Sequence, residues 1–146
     1  MKKFKSTLAV LITVLAVSFF ISPANSEAAT SSWQSVSSAG SGCKVRIWND
    51  ASTYTKRATT VDFTIEQNGK CGKLDYTAGV KPRQLTSYSV PYVSGYFSNK
   101  TPVKKLTLNV GIWKKQDRNA YVGANLSKNG KDVGYVESNT FTIKKQ

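Results

Sequence analysis

The stretch VDFTIEQNGKCGKLDY, residues 61–76, carries the alternation that decides the fold class. Val61, Phe63 and Ile65 interleave with Asp62, Thr64 and Glu66, a period of two that marks a strand with one apolar and one polar face. Asn68-Gly69 follows at once and is a strong hairpin signal, because both residues tolerate the left-handed backbone of a two-residue turn. A turn there pairs Phe63 with Leu74 and Val61 with Tyr76, so the two apolar faces coincide. A slip of one residue would oppose apolar to polar along the whole pair. The same register sets Asp62 opposite Asp75 on the outward face.

The pattern extends in both directions. Upstream, Cys43, Val45 and Ile47 alternate with Lys44, Arg46 and Trp48. Downstream, Leu106, Leu108, Val110 and Ile112 alternate with Lys105, Thr107, Asn109, Gly111 and Trp113, and a short last strand holds Phe141 and Ile143. A second Asn-Gly, at 129–130, predicts a hairpin pairing Leu126 with Val133 and Ala124 with Tyr135. Tyr88, Val90 and Tyr92 fall on the apolar face of one further strand, with Pro91 marking an edge or a bulge. Tyr96 and Phe97 follow Gly95 in an expected loop and, with Asn99 and Lys100, are candidates for contact with a partner. No segment after Ile21 has a helical period. Many short strands separated by turns predict an all-β, single-domain antiparallel β-sandwich, Ig-like or related, with a small barrel as the alternative.

Three lysines, Lys2, Lys3 and Lys5, precede an apolar run from Leu8 to Ile21 and the small-residue stretch SPANSEAA, the signature of a secretory signal peptide cleaved after Ala28. The expected organisation is a signal at 1–28, a Ser/Gly-rich lead-in at 29–42 with a ragged edge strand near Trp33 and Val36, and the sandwich at 43–146. The apolar run is short for a membrane span and no second one follows it, so the product is expected to be extracellular or wall-associated rather than membrane-embedded. Cys43 and Cys71 are the two cysteines, and in an exported chain they are expected to form one disulfide.

The chain has 21 Lys and Arg against 8 Asp and Glu. Loss of Lys2, Lys3, Lys5 and Glu27 with the signal leaves eighteen basic and seven acidic residues, a net +11. Such a charge attracts polyanions without specifying a fold.

Histidine is absent, which removes the commonest general base and metal ligand near neutral pH and excludes Ser-His-Asp and Cys-His catalysis. Zinc ligation is implausible for the same reason, and no glycine-rich phosphate loop has the spacing of a nucleotide site. No cofactor is expected. Asp62 and Asp75, opposed on the predicted hairpin, are the one carboxylate pair with the geometry of a glycosidase acid and nucleophile or of a calcium site. The plainer reading is that Lys73, Lys44 or Arg46 neutralises an ordinary surface there.

Trp48 falls by parity with Lys44 and Arg46, and Trp113 with Lys105 and Lys115, so both tryptophans are expected to face outward among cations. Aromatic rings beside Lys or Arg combine stacking with attraction to phosphates, although a tryptophan that packs on its own sheet would fit the same pattern. The expected binding residues are therefore Trp48, Trp113, Lys44, Arg46, Lys105, Lys114, Lys115 and Tyr96, with Lys104 and Arg118 in the densest basic stretch. Signal and size resemble those of small exported proteins of Gram-positive bacteria. The leading expectation is a secreted, non-enzymatic, cationic protein that binds an anionic polymer or surface, such as cell wall, anionic lipid or nucleic acid, with antimicrobial use among its roles. The alternatives are a protein-binding module such as a hydrolase inhibitor, presenting the Tyr96 loop or the loop 51–59, and a carbohydrate-active enzyme using Asp62 and Asp75.

Overall fold

The computed structural model describes residues 27–146. The expected signal peptide lies outside the described residues except for Glu27 and Ala28. Eleven strands form among them: β1 (Ala29–Thr30), β2 (Gln34–Ser35), β3 (Lys44–Asn49), β4 (Thr53–Tyr54), β5 (Thr60–Gln67), β6 (Leu74–Pro82), β7 (Tyr92–Phe97), β8 (Lys104–Thr107), β9 (Arg118–Lys128), β10 (Lys131–Glu137) and β11 (Phe141–Ile143). They make two packed sheets, a sandwich rather than a barrel. The first runs β1-β3-β5-β8, with β2 also on β3; the second runs β4-β11-β9-β6-β7, with β10 also on β9. All pairs are antiparallel except β4 with β11. Because β5 covers one edge of β3, β1 and β2 share the other, tied down where the Ile47 amide donates to Ser31 Oγ at 3.1 Å.

The period-two residues close the core between the sheets. Val45, Ile47, Val61, Phe63, Ile65 and Leu106 from the first sheet and Leu74, Val122, Leu126 and Ile143 from the second are at most 1% exposed. Cys43 and Cys71 are bonded, with Cα atoms 4.8 Å apart, and this ties the start of β3 to the segment between β5 and β6.

Four expectations are corrected. First, β5 and β6 do not form a hairpin. β5 pairs with β3 and β8, and β6 with β7 and β9, so Phe63 faces Asn49 and Lys104 while Leu74 faces Phe97. The segment 68–73 carries the chain from one sheet to the other. Gln67, 5% exposed, holds this crossing: its Nε2 donates to the carbonyls of Gly72 and Ser98, and its Oε1 accepts from the Cys71 amide at 3.0 Å.

Second, the hairpin at 129–130 does form, but a bulge at Val133 shifts its register after Asp132. Leu126 then pairs with Gly134 and Ala124 with Val136. Tyr135 moves from the expected core position to the outer face, opposite Asn125.

Third, the strand expected to run to Trp113 stops at Thr107. Val110 donates to the Leu108 carbonyl at 2.8 Å and Trp113 to that of Val110 at 3.1 Å, a tight 3-10 turn over Gly111–Lys114 that resets the parity. Trp113 points inward and is 1% exposed.

Fourth, Tyr88 and Tyr92 are not core residues. The strand begins only at Tyr92, and the inward phase belongs to Val93 and Phe97, so Tyr92 and Tyr96 stand outward at 71% and 67% exposure. Tyr96 belongs to this strand and not to a loop.

Candidate functional site

The expected binding residues separate onto three surfaces. On the outer face of the first sheet, Lys44, Arg46 and Trp48 alternate along β3 as the pattern requires. Trp48 is half-buried and sits opposite Thr64 and Thr30. A shallow hollow of about 250 Å³ opens beside it, lined by Arg46, Thr64, Glu66, Lys100 and Val103. Two of the cations here are engaged by carboxylates. Arg46 reaches Glu66 at 2.8 Å and lies over the Trp33 ring at 4.3 Å, and Lys105 reaches Asp62 at 2.7 Å. That hydrogen bond and the Asp62 charge hold the Lys105 ammonium above its ordinary pKa.

Asp62 and Asp75 lie on opposite outer faces of the sandwich, Asp62 on β5 and Asp75 on β6. The expected carboxylate pair is therefore not formed: layers packed about 10 Å apart cannot hold outward carboxylates at the spacing a retaining glycosidase needs. Among the described residues no three His, Cys, Asp or Glu side chains gather as a metal site.

The second surface is one end of the sandwich. The loop after β4 and the 3-10 turn meet there, joined by Gln146, whose amide donates to the Trp113 carbonyl at 3.0 Å and whose Nε2 donates to the Thr55 carbonyl at 3.1 Å. Lys56, Arg57 and Lys114 line a hollow of about 270 Å³. Lys115, also exposed, adjoins the turn. Asp117 is the acidic neighbour, and it is taken by Lys144 at 2.9 Å and by the Lys145 amide at 2.8 Å. The backbone bond and then the lysine bond hold its carboxyl below the ordinary aspartate pKa. Lys56, Arg57, Lys114 and Lys115 make no ion pair among the described residues, so this end gathers four cations without carboxylate partners. Trp113 lies beneath it, buried.

The third surface is the outer face of the second sheet. Outward residues of three adjacent strands come into register here: Asp75 lies between Tyr96 and Ser127, and Thr77 between Ser94 and Asn125. They line an open trough of about 560 Å³, larger than either hollow above. Lys73 covers the Tyr96 ring at 4.1 Å. At the far end of the face the Tyr135 hydroxyl is tucked over Gly123, where no Cβ would fit. Lys81 lies 4.4 Å from the Tyr135 ring and Arg83 3.9 Å from that of Tyr121. Burial, then the neighbouring Tyr121 hydroxyl and nearby negative charge, pushes the Tyr135 hydroxyl far above its ordinary pKa, so it stays protonated. Tyr96 is the one residue of this face among the expected binding residues. The polar alternation of Tyr92, Ser94 and Tyr96 against Val93 and Phe97 carried the rest of the signal on β7; the Val133 bulge that delivers Tyr135 has no local signature.

A family model described as YqgA MG2 macroglobulin domain matches residues 26–144. Cell wall-binding protein YqgA of Bacillus subtilis (strain 168) is 48% identical to this chain over 97 residues, 65% of this chain and 67% of the relative.

Proposed function

The chain belongs to the YqgA MG2 macroglobulin domain family, and from that membership we propose that it is an exported, non-enzymatic protein that binds the cell wall. The observation that carries this reading is the 48% identity to a relative described as cell wall-binding. The charge supports it: a net +11 after loss of the expected signal suits the phosphate-bearing polymers of a wall. Lys56, Arg57, Lys114 and Lys115 are the contacts for that charge, because Arg46 and Lys105 already have carboxylate partners. Lys44 and Trp48 take a secondary part on the first sheet. Trp113 acts only by supporting the turn that presents Lys114.

Co-sedimentation of the protein with purified walls, with and without their anionic polymers and at two salt concentrations, tests the reading. Binding to intact walls is expected, weakening as salt rises, because contact with a polyanion releases counterions. Lys114→Glu with Lys115→Glu should weaken binding and flatten its salt dependence. Failure to sediment with either wall at low salt would remove the proposal and bring forward a protein partner.

A further inference from the structure

We infer that the trough on the outer face of the second sheet is a subsite for an uncharged polysaccharide strand, a contact separate from the cationic end. The inference deepens the wall-binding reading and rests on it for the source of the glycan.

Three observations point to a sugar. The first is unspent hydrogen-bonding capacity. Among the described residues the side chains of Asp75, Asn125 and Ser127 make no hydrogen bond or ion pair, although they stand in adjacent register on a rigid sheet. Thr77 and Ser94 hydroxyls meet each other at 2.9 Å and stay exposed. A carboxylate, an amide and hydroxyls held a strand apart are acceptors and donors suited to the vicinal hydroxyls of a pyranose.

The second is stacking surface. Tyr92 and Tyr96 are exposed on the same face of β7, about 13 Å apart by the rise of a strand. The Tyr96 ring lines the trough with Lys73 over one of its faces, and Tyr92 continues the same outward row beyond it; an aromatic face packs against the C–H side of a sugar ring while its hydroxyls turn to the floor. The volume of about 560 Å³ falls in the range of roughly 300 to 1,000 Å³ common to small-ligand sites.

The third is charge. The charged side chains lining the trough are Asp75 and Asp132, both acidic, with Lys73 at the rim over the Tyr96 ring, in a chain that is strongly basic elsewhere. Among the described residues neither aspartate belongs to an ion pair. A polyanion is repelled from this floor, whereas hydroxyl groups gain from a charged acceptor. The two surfaces therefore divide the wall between them by chemistry: phosphate at the cationic end, neutral glycan in the trough.

The test is a titration of the protein with a soluble β-1,4-linked N-acetylglucosamine oligomer, followed by amide chemical shifts. Shifts should centre on Asp75, Ser94, Tyr96, Asn125 and Ser127 and vary little with salt. Tyr96→Ala and Asn125→Ala should each weaken the oligomer's binding roughly tenfold with their own spectra otherwise unchanged, while Lys114→Glu with Lys115→Glu should leave it intact. No shifts in the trough at millimolar oligomer, or shifts that survive both trough variants, would overturn the inference even if walls are bound. Shifts in the trough alongside failed wall sedimentation would retire the wall reading and keep the sugar subsite.

Discussion

The dipeptide Asn-Gly occurs twice at a strand end, at 68–69 and at 129–130, and the chain does opposite things at the two places. At 129–130 both residues have positive φ, 52° and 74°, the twist that folds β10 back onto β9. At 68–69 only the glycine does, with φ 84°, and the flanking strands part into different sheets. The surroundings account for the difference. Asn68 is drawn away from a turn: its Oδ1 accepts from the Lys44 amide at 3.1 Å and its Nδ2 donates to the Gly42 carbonyl at 2.8 Å. Three residues later the disulfide pins Cys71 to Cys43, at the start of β3. A hairpin signal is thus a local preference of about 1 kcal/mol, and side-chain bonds with a crosslink outweigh it.

The largest test of that account removes the crosslink. Replacing both Cys43 and Cys71 by serine should lower the unfolding free energy by about 3 to 4 kcal/mol, from the 28-residue separation that the bond closes. Urea denaturation of the two proteins measures it. The loss should fall on the crossing first, with amide exchange at 68–73 rising well before that at 129–130. Equal protection at the two turns would show that the disulfide does not hold the crossing.

Gln67→Ala comes next. It leaves the Cys71 amide without its partner in a buried place and the part-buried Gly72 and Ser98 carbonyls without theirs, a cost of about 1 to 3 kcal/mol. A thermal melt should register the loss with the disulfide still formed. A change under half a kcal/mol would mean that the crosslink alone directs the crossing.

The two turns also mark how far the residues alone could be read. Alternation fixed which side chains of β3, β5 and β11 face the core, because burial of one sheet face imposes a period of two over the whole strand: Val45, Ile47, Phe63 and Ile65 are all inside. Pairing was less legible, since an apolar strand accepts any apolar partner, and β5 took β3 and β8 in place of β6. Phase failed where the strand itself ended early. Trp113 continued the alternation on paper, yet a 3-10 turn intervened and turned it into the core. The trough was hidden for both reasons at once. Its floor joins β6 to β7 and β9, a neighbourhood set by the crossing, and its Tyr96 stands outward on a strand whose phase departs from the expected one.

The smallest test separates the turns from their surroundings. Gly69 and Gly130 both have positive φ, and a Cβ built on either meets no atom of the described residues within 4 Å. Alanine at either position therefore carries only the backbone cost of a left-handed L-residue, about 1 to 2 kcal/mol. If the environment rather than the dipeptide decides the chain's course, Gly69→Ala and Gly130→Ala should destabilise by the same amount within about half a kcal/mol, the limit within which separate sites add. They should differ in where the strain appears. Gly130→Ala shifts the amides of β9 and β10 around Ser127, next to the trough, and so also weakens oligosaccharide binding. Gly69→Ala disturbs only the crossing. A clearly larger cost at Gly69 would mean that its backbone is part of what sends the chain between sheets, and that the bonds of Asn68 and Gln67 follow from the crossing instead of causing it.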